Sequence, residues 1–173
     1  MITKPVGFGV VTTALKSALA DPADVAEAVN WMKRLNRTAC ELAQEVGVRG
    51  ATDITGFSLL GHGLEMANAS QVGLELHLSQ IPFLEGARKY AEEWIFPGGA
   101  SDNRHFFQDR VSFAAQISEM EQMMLFDAQT SGGLLLAVPS EQVERILERG
   151  AQAGQPLWQI GKVVQGEGIE VVE

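Results

Sequence analysis

Two segments of the chain, Thr52–Met66 and Asp127–Pro139, carry residue types that bind phosphate or metal ions. Each segment places a carboxylate, a Thr or Ser hydroxyl and flexible glycines at the expected boundary between two elements. Backbone amides that point outward at such boundaries, and helix N-termini in particular, attract anions. The two segments therefore predict an anion or metal site at each boundary.

Asp53 follows a predicted short strand over residues 49–52, and Thr55 can cap the helix that comes next. A carboxylate at a strand end can coordinate Mg²⁺, which takes one or two protein carboxylates and completes its shell with water and phosphate oxygens. The Thr55 hydroxyl and the first helix amides, at Gly56 and Phe57, could face the same anion. The alternative is that Asp53 only forms an Asx turn and Thr55 only caps the helix. Residue types alone leave both interpretations open.

The second segment contains Thr130 and Ser131, followed by Gly132 and Gly133, directly before an apolar run of strand length. Two glycines let successive amides turn inward as an anion nest, although a tight turn would also favour glycine, so both interpretations stay open. A third stretch, residues 97–103, is predicted as a loop whose Asn103 could hold a nucleotide or phosphate.

The other reactive side chains carry weaker signals. The histidines have no spacing typical of a zinc site, and His62 is interpreted as a helix residue with one hydrogen-bonded ring nitrogen. Cys40 lies inside a periodic helix, so we interpret it as a structural thiol rather than a nucleophile. No catalytic residue is therefore assigned.

Hydrophobic periodicity indicates how these residues are positioned. It predicts a strand over residues 6–12, one long helix from Pro22 to Val46 that ends at Gly47, and further strands over residues 73–78, 133–138, 157–164 and 168–172. Other helices are predicted from Thr55, over residues 84–94, and after the caps Ser118 and Ser140, whereas residues 104–117 fit either state. The pattern favours one α+β domain over residues 1–173, with a mixed sheet covered by helices.

Composition excludes several classes of protein. With 173 residues and 46% apolar content, the chain can bury one core. A net charge of −9 removes nonspecific attraction to nucleic acid and anionic membranes, so neither partner is expected. No run approaches the ~18 apolar residues of a spanning helix, and a single cysteine excludes an internal disulfide. A cytoplasmic location is the expectation.

The two segments also resemble a family signature. TDITGFSLLGHGLEM is similar to the pattern TD-V/I-TGFGLLGHL-x-EM, and DAQTSGGLLLAVP to DPQTSGGLLLAV. Residues 3–9 are similar to TKPLGxG, and Pro97-Gly98-Gly99 with Asn103 is similar to PGGTxxN. These motifs, in this order, resemble selenophosphate synthetase, also called selenide, water dikinase.

The resemblance implies the fold of the C-terminal domain shared by aminoimidazole ribonucleotide synthetase and its relatives. It also implies a reaction in which ATP, selenide and water give selenophosphate, AMP and phosphate. In that family the residue matching Asp53 joins N-terminal-domain carboxylates in binding the magnesium ions on ATP, and Thr55, Asn103, Thr130 and Ser131 would line the same pocket. The family's N-terminal ATP-binding domain is absent from this chain. We therefore expect this domain to be inactive alone, to need its own N-terminal domain as partner, and to belong to a homodimer at full length.

The chain departs from the family pattern at Ser58 and Ala128, which flank the two anion loops, and at Gly63 and Ala100. None of these changes removes a charged group. Two alternatives remain open. The chain could belong to another superfamily member, in hydrogenase maturation, thiamine-phosphate phosphorylation or purine synthesis, or it could be a non-catalytic module that binds an anion or a partner.

Overall fold

A computed structural model describes all residues from 1 to 173. The helices are α1 (Phe8–Lys16), α2 (Pro22–Lys33), α3 (Arg37–Glu45), α4 (Ser58–Ser70), α5 (Ala87–Glu92), α6 (Gly98–Phe107), α7 (Glu119–Leu125) and α8 (Val143–Gln152). The strands are β1 (Gly50–Asp53), β2 (Gly73–His77), β3 (Val111–Phe113), β4 (Leu134–Ala137), β5 (Gly161–Val164) and β6 (Ile169–Val172). Single 3₁₀ turns cover Leu78–Gln80, Gln108–Arg110 and Ser140–Gln142.

The strands form two sheets. β1 and β4 make an antiparallel pair, and the other four lie in the order β3-β6-β2-β5. In the larger sheet β6 runs parallel to both β2 and β3, whereas β5 is antiparallel to β2. The predicted α+β class with a mixed sheet is confirmed, and the motif strands β1 and β4 are seen to form a separate small sheet.

Helix α4 packs on the larger sheet, and the apolar side chains between them form the main hydrophobic core. Leu60 and Leu64 of α4 are fully buried in the same apolar cluster as Ile169 and Val171 of β6. Gly61 lies in the middle of this helix because a β-carbon there would come within 2.6 Å of the Phe107 ring. The glycines of the first motif therefore serve close packing as well as loop flexibility.

The strand predicted over residues 6–12 is wrong, because helix α1 begins at Phe8 and includes residues 8–12. The β-branched run from Val10 to Thr13 favours a strand by propensity, but tertiary contacts decide otherwise. Gly7 enters the helix with φ of 107°, and the first helix amides are capped by side chains from residues 127 and 129. A cap from so far along the chain cannot be read from local sequence.

The single helix predicted from Pro22 to Val46 is also wrong, because it is broken between α2 and α3. Arg34 is extended, with ψ of 120°, and the side-chain amide of Asn36 donates to the Gly132 carbonyl instead of capping α3. Neither glycine nor proline marks the break. The predicted left-handed end at Gly47 is confirmed by its φ of 74°.

The other predicted elements lie close to their observed positions, with shifted ends. Residues 97–103 were predicted as a loop, but from Gly98 onward they form helix α6 with Pro97 at its N-cap. The ambiguous stretch 104–117 holds the end of α6, a 3₁₀ turn and β3. A 3₁₀ turn at Ser140 precedes α8. None of the helices has the length and apolar character needed to cross a membrane.

The predicted capping box at α7 is present with both of its bonds. Glu121 N–H donates to Ser118 Oγ at 3.3 Å, and Ser118 N–H donates to Glu121 Oε2 at 3.1 Å. We expect Ser118→Ala to lower the free energy of unfolding by about 1 kcal/mol, measured by urea denaturation. The exposed Ser101 of α6 offers a control, because its side chain makes no hydrogen bond within the chain. Equal losses in the two variants would contradict a specific cap.

Candidate functional site

The two motif loops meet along the small sheet. Asp53 at the end of β1 pairs opposite Leu134 at the start of β4. Beyond the strands, Ile54 N–H donates to the Gly133 carbonyl at 2.8 Å, and Gln129 N–H donates to the Thr55 carbonyl at 3.0 Å. The register therefore places the carboxylate of the first motif and the hydroxyl-rich loop of the second side by side.

Asp53 is exposed, and its carboxylate takes part in no hydrogen bond or ion pair within the chain. No cluster of three or more His, Cys, Asp or Glu side chains forms a ready metal cage. A lone exposed carboxylate still fits Mg²⁺, which needs only one or two protein carboxylates when phosphates and water supply the other ligands. The Asp53 carboxylate is therefore free to coordinate a metal ion if other groups supply the remaining ligands.

Thr55 does not cap helix α4, which begins only at Ser58, so that part of the prediction is wrong. Its Oγ1 lies 3.0 Å from Nε2 of His62, and Phe57 N–H donates to the same nitrogen at 3.3 Å. Because Nε2 accepts from Phe57, Nδ1 carries the ring proton and donates to Glu65 Oε2 at 3.1 Å. His62 thus bonds through both nitrogens and holds the loop between β1 and α4.

Ser58, a departure from the family pattern, has a left-handed backbone with φ of 69° and is fully buried. Glycine adopts this conformation without strain, which explains why the family pattern has glycine here. Ser58 Oγ accepts a hydrogen bond from Gly61 N–H at 3.2 Å. The serine therefore replaces glycine's flexibility with a cap on the first turn of α4, and Ser58 has the role that we predicted for Thr55.

The loop from Thr130 to Gly133 presents unused amides. The N–H groups of Thr130, Ser131, Gly132 and Gly133 donate to no acceptor within the chain. Ser131 is left-handed, with φ of 52°, and Thr130 and Ser131 are exposed. Successive unpartnered amides around a left-handed residue are the features of an anion nest.

Close backbone approach explains the two glycines of this loop. A β-carbon at Gly132 would overlap the Ile54 carbonyl oxygen, and one at Gly133 would lie 2.6 Å from the Lys4 amide nitrogen. Lys4 Nζ donates to the Ser131 carbonyl at 2.7 Å. Residues 3–4 therefore support the loop from behind, a role of Lys4 that was not predicted from its sequence. Its place in the first matched motif was the available signal.

Asn103 is buried within α6 rather than exposed on a loop. Its side-chain amide donates to the Gly56 carbonyl at 2.9 Å and to the Phe126 carbonyl at 3.1 Å. The residue therefore ties α6 to the first motif loop and to the residue that precedes the second motif. The paired loops carry four of the five predicted site residues, Asp53, Thr55, Thr130 and Ser131. Asn103 contacts these loops through the Gly56 carbonyl. Ligand binding by any of the five stays a prediction.

Asp127 and Gln129 of the second motif were not predicted as functional, and both cap helix α1. Gln129 Oε1 accepts from the amides of Gly7 and Phe8 at 3.0 and 3.1 Å, and Asp127 Oδ2 accepts from Gly9 at 2.9 Å. Oδ1 of Asp127 is buried without a partner, and burial raises the pKa of this carboxyl to about 7. The carboxylate and the amide side chain of this motif hold the structure together rather than face a ligand.

The remaining candidates lie apart from the paired loops. Cys40 is on the outer face of α3 and exposed, so the prediction of a packed structural thiol is wrong. Its neighbours Ala39 and Leu42 carry the buried face instead. His77 pairs with Glu75 of its own strand, at 3.1 Å from Nε2 to Oε1.

Comparison with known proteins shows which family the chain belongs to. The family model "AIR synthase related protein, C-terminal domain" matches residues 1–173. A selenide, water dikinase of Carboxydothermus hydrogenoformans is 40% identical over 173 residues, all of this chain and 50% of that protein. The enzyme of the same name from Pseudomonas aeruginosa is 38% identical over 98% of this chain and 48% of its own length. The chain thus spans about half the length of these relatives.

Solved structures show the same fold at low identity. A thiamine-monophosphate kinase from Stenotrophomonas maltophilia superimposes with a TM-score of 0.66 at 15% identity, over 98% of this chain and 48% of that one. The hydrogenase maturation protein HypE in complex with ATP gives 0.64 at 20% identity, over 95% and 41%. These likenesses establish the fold alone. The motif resemblance is confirmed by the curated relatives, and the chain belongs to the AIR synthase related family as a C-terminal domain like that of the selenide, water dikinases.

Proposed function

We propose that this domain supplies one wall of the MgATP site of a selenophosphate synthetase, which converts ATP, selenide and water to selenophosphate, AMP and phosphate. The other wall, with the catalytic Lys and the reactive Cys or selenocysteine, would come from an N-terminal domain of the same protein. The observation that carries the proposal is the pairing of Asp53 with the start of β4, which sets an uncommitted carboxylate beside four unpartnered amides.

This arrangement suits phosphoryl transfer, which asks a protein mainly to position phosphates and to neutralise their charge. The Asp53 carboxylate would hold Mg²⁺, and that ion would offset negative charge on the phosphates. Thr55 directs its hydroxyl proton to His62 Nε2, so the lone pairs of Oγ1 remain available as acceptors. The amides of residues 130–133 can donate to phosphate oxygens without breaking any bond of the fold.

The other enzymes of this fold are the second candidate, since thiamine-monophosphate kinase and ATP-bound HypE share it. The much higher identity to proteins named selenide, water dikinase favours the first candidate. Competition between selenide and thiamine phosphate in the full-length protein separates the two. A non-catalytic module would bind MgATP or a partner but release no AMP with any of these substrates.

Asp53→Asn in the full-length protein tests the proposed role. We expect Mg²⁺-dependent ATP binding to weaken roughly tenfold or more, because a charged ligand is replaced by a neutral one. Selenide-dependent AMP release should fall with it, while the circular dichroism spectrum stays the same. Asp102→Asn, at an exposed carboxylate of α6, is the matched control. If ATP binding by Asp53→Asn depended on Mg²⁺ as in the unaltered protein, Asp53 would have only a structural role in its turn.

A further inference from the structure

Met1 and Ile2 form a very short strand between two sheet edges. The Met1 ammonium donates to the Leu136 carbonyl of β4 at 2.8 Å, and the Leu136 N–H donates back to the Met1 carbonyl at 2.8 Å. On the other side, the N–H groups of Ile2 and Trp158 donate to each other's carbonyls at 2.9 and 3.0 Å. Both pairings are antiparallel. These two residues therefore connect the small sheet to the segment that leads into β5.

The same two edges continue past Met1 with no strand between them. β4 has only β1 beside it there, and β5 is an outer strand of the larger sheet, paired with β2 alone. The N–H and C=O groups of Val138, which follow those of Leu136 on the same edge of β4, have no partner within the chain. Unpaired edges of this kind are templates for a further strand.

An apolar cleft of about 280 Å³ lies between these two edges. Its walls include residues 135–138 on the β4 side and residues 159–163 on the β5 side, together with Met66 of α4 and Val143 of α8. Met1 also lines the cleft, so the short strand points into it with its amino end. A second cavity, of about 580 Å³, shares Val138 and Val163 with the first. The cleft is therefore open in the direction in which the strand would continue.

The amino group of Met1 is buried at the entrance to this cleft. Burial lowers the pKa of the Met1 ammonium to about 6, because the charged form loses its hydration. A neutral amide nitrogen in the same place would donate the same bond to the Leu136 carbonyl without that cost. The position thus suits an interior residue of a strand better than a charged chain end.

We propose that the cleft between β4 and β5 holds a β-strand joined to the amino side of Met1, which merges the two sheets into one. The order of the merged sheet would be β1-β4-new strand-β5-β2-β6-β3. The chain spans about half the length of the relatives that it matches, and the strand would be the segment of the longer protein directly before position 1. Only this origin of the strand rests on the proposed N-terminal domain.

The pairing of Met1 with Leu136 sets the register of the added strand. Antiparallel partners step in opposite directions, so the second residue before Met1 would pair with Val138. Side chains alternate along a strand, and Ile2 packs in the cluster of α4 whereas Met1 packs in that of α3 and α8. The residue directly before Met1 would therefore face α4, and the second would face α8. Because both faces are apolar, we expect both residues to be apolar.

Two extended chains, with Ser-Thr-Val-Val or Ser-Thr-Pro-Val added in front of Met1, test the proposal. Valine at the second position before Met1 can donate its N–H to the Val138 carbonyl, whereas proline cannot. We expect the valine extension to lower the equilibrium constant for unfolding roughly tenfold or more relative to the 173-residue chain, because it buries apolar side chains. The proline extension should lose most of this gain. Urea denaturation measures both constants.

Hydrogen exchange gives a local measurement for the same chains. The Val138 N–H should become protected in the valine extension and stay unprotected in the proline extension. Equal unfolding constants for the two extended chains, or equal exchange at Val138, would overturn the proposal. A dimer of the unextended chain that persists with the valine extension, measured by sedimentation, would place a second copy in the cleft and would also contradict it. These experiments need neither nucleotide nor metal, so their failure would leave the proposed MgATP site untouched.

Discussion

Gly132→Ala is expected to destabilise the domain by about 3 kcal/mol or more. The added β-carbon would overlap the carbonyl oxygen of Ile54. Both partners of this contact are backbone, so no side chain can rotate away. The two motif loops would have to separate, which breaks the bond between Ile54 N–H and the Gly133 carbonyl. Chemical denaturation followed by circular dichroism measures the loss.

Gly56→Ala is the control for this effect in the neighbouring loop. A β-carbon at Gly56 would meet no atom within 4 Å, so we expect a change within about 0.5 kcal/mol. If Gly132→Ala were equally mild, the loops would not be pressed together as described. The comparison thus tests the packing of the candidate site without any assay of activity.

Asp127 is expected to make the stability of the domain depend on pH. Its pKa is about 7 in the folded chain, against 3.8 as the ordinary value, because burial disfavours the charged carboxylate. The folded state therefore binds a proton more tightly than the unfolded state does. The stabilisation is fully present below the ordinary pKa and is lost as the pH rises through about 7, by up to about 4 kcal/mol.

Asp127→Asn should remove this dependence. Asn keeps an acceptor for the Gly9 amide but cannot ionise, so its stability should match that of the unaltered chain below pH 3.8 and exceed it increasingly as the pH rises through about 7. Urea denaturation of both proteins across this range measures the difference. Asp109→Asn, in an exposed 3₁₀ turn, controls for the general loss of a negative charge. Parallel curves for Asp127→Asn and the unaltered chain would show that Asp127 stays charged throughout.

Local patterns predicted the elements that carry their own signals. The strand ending at Asp53, the capping box at Ser118 and the left-handed Gly47 all depend on neighbours within a few residues, and all three are present. The α+β class followed from the same signals. The order of the motifs was enough to identify the family, because motif order can be seen in the sequence without knowledge of tertiary contacts.

Long-range contacts account for what the sequence did not show. Whether residues 6–12 form a strand or a helix depends on caps from residues 127 and 129. The break at Arg34 depends on the bond from Asn36 to Gly132. Asp127 and Lys4 are both buried, although charged residues usually lie at the surface. These assignments require the register of β1 against β4, which no local pattern supplies.

The capping of helix α1 also has a consequence for the order of folding. Its first amides find their acceptors 118 to 122 residues further along the chain. Closing such a long loop costs chain entropy before any contact compensates for it, and this slows folding. During synthesis the first amides of α1 would lack their acceptors until residues 127–129 had been made. In refolding, the amides of Gly7, Phe8 and Gly9 should gain protection from hydrogen exchange late, together with the strand β4.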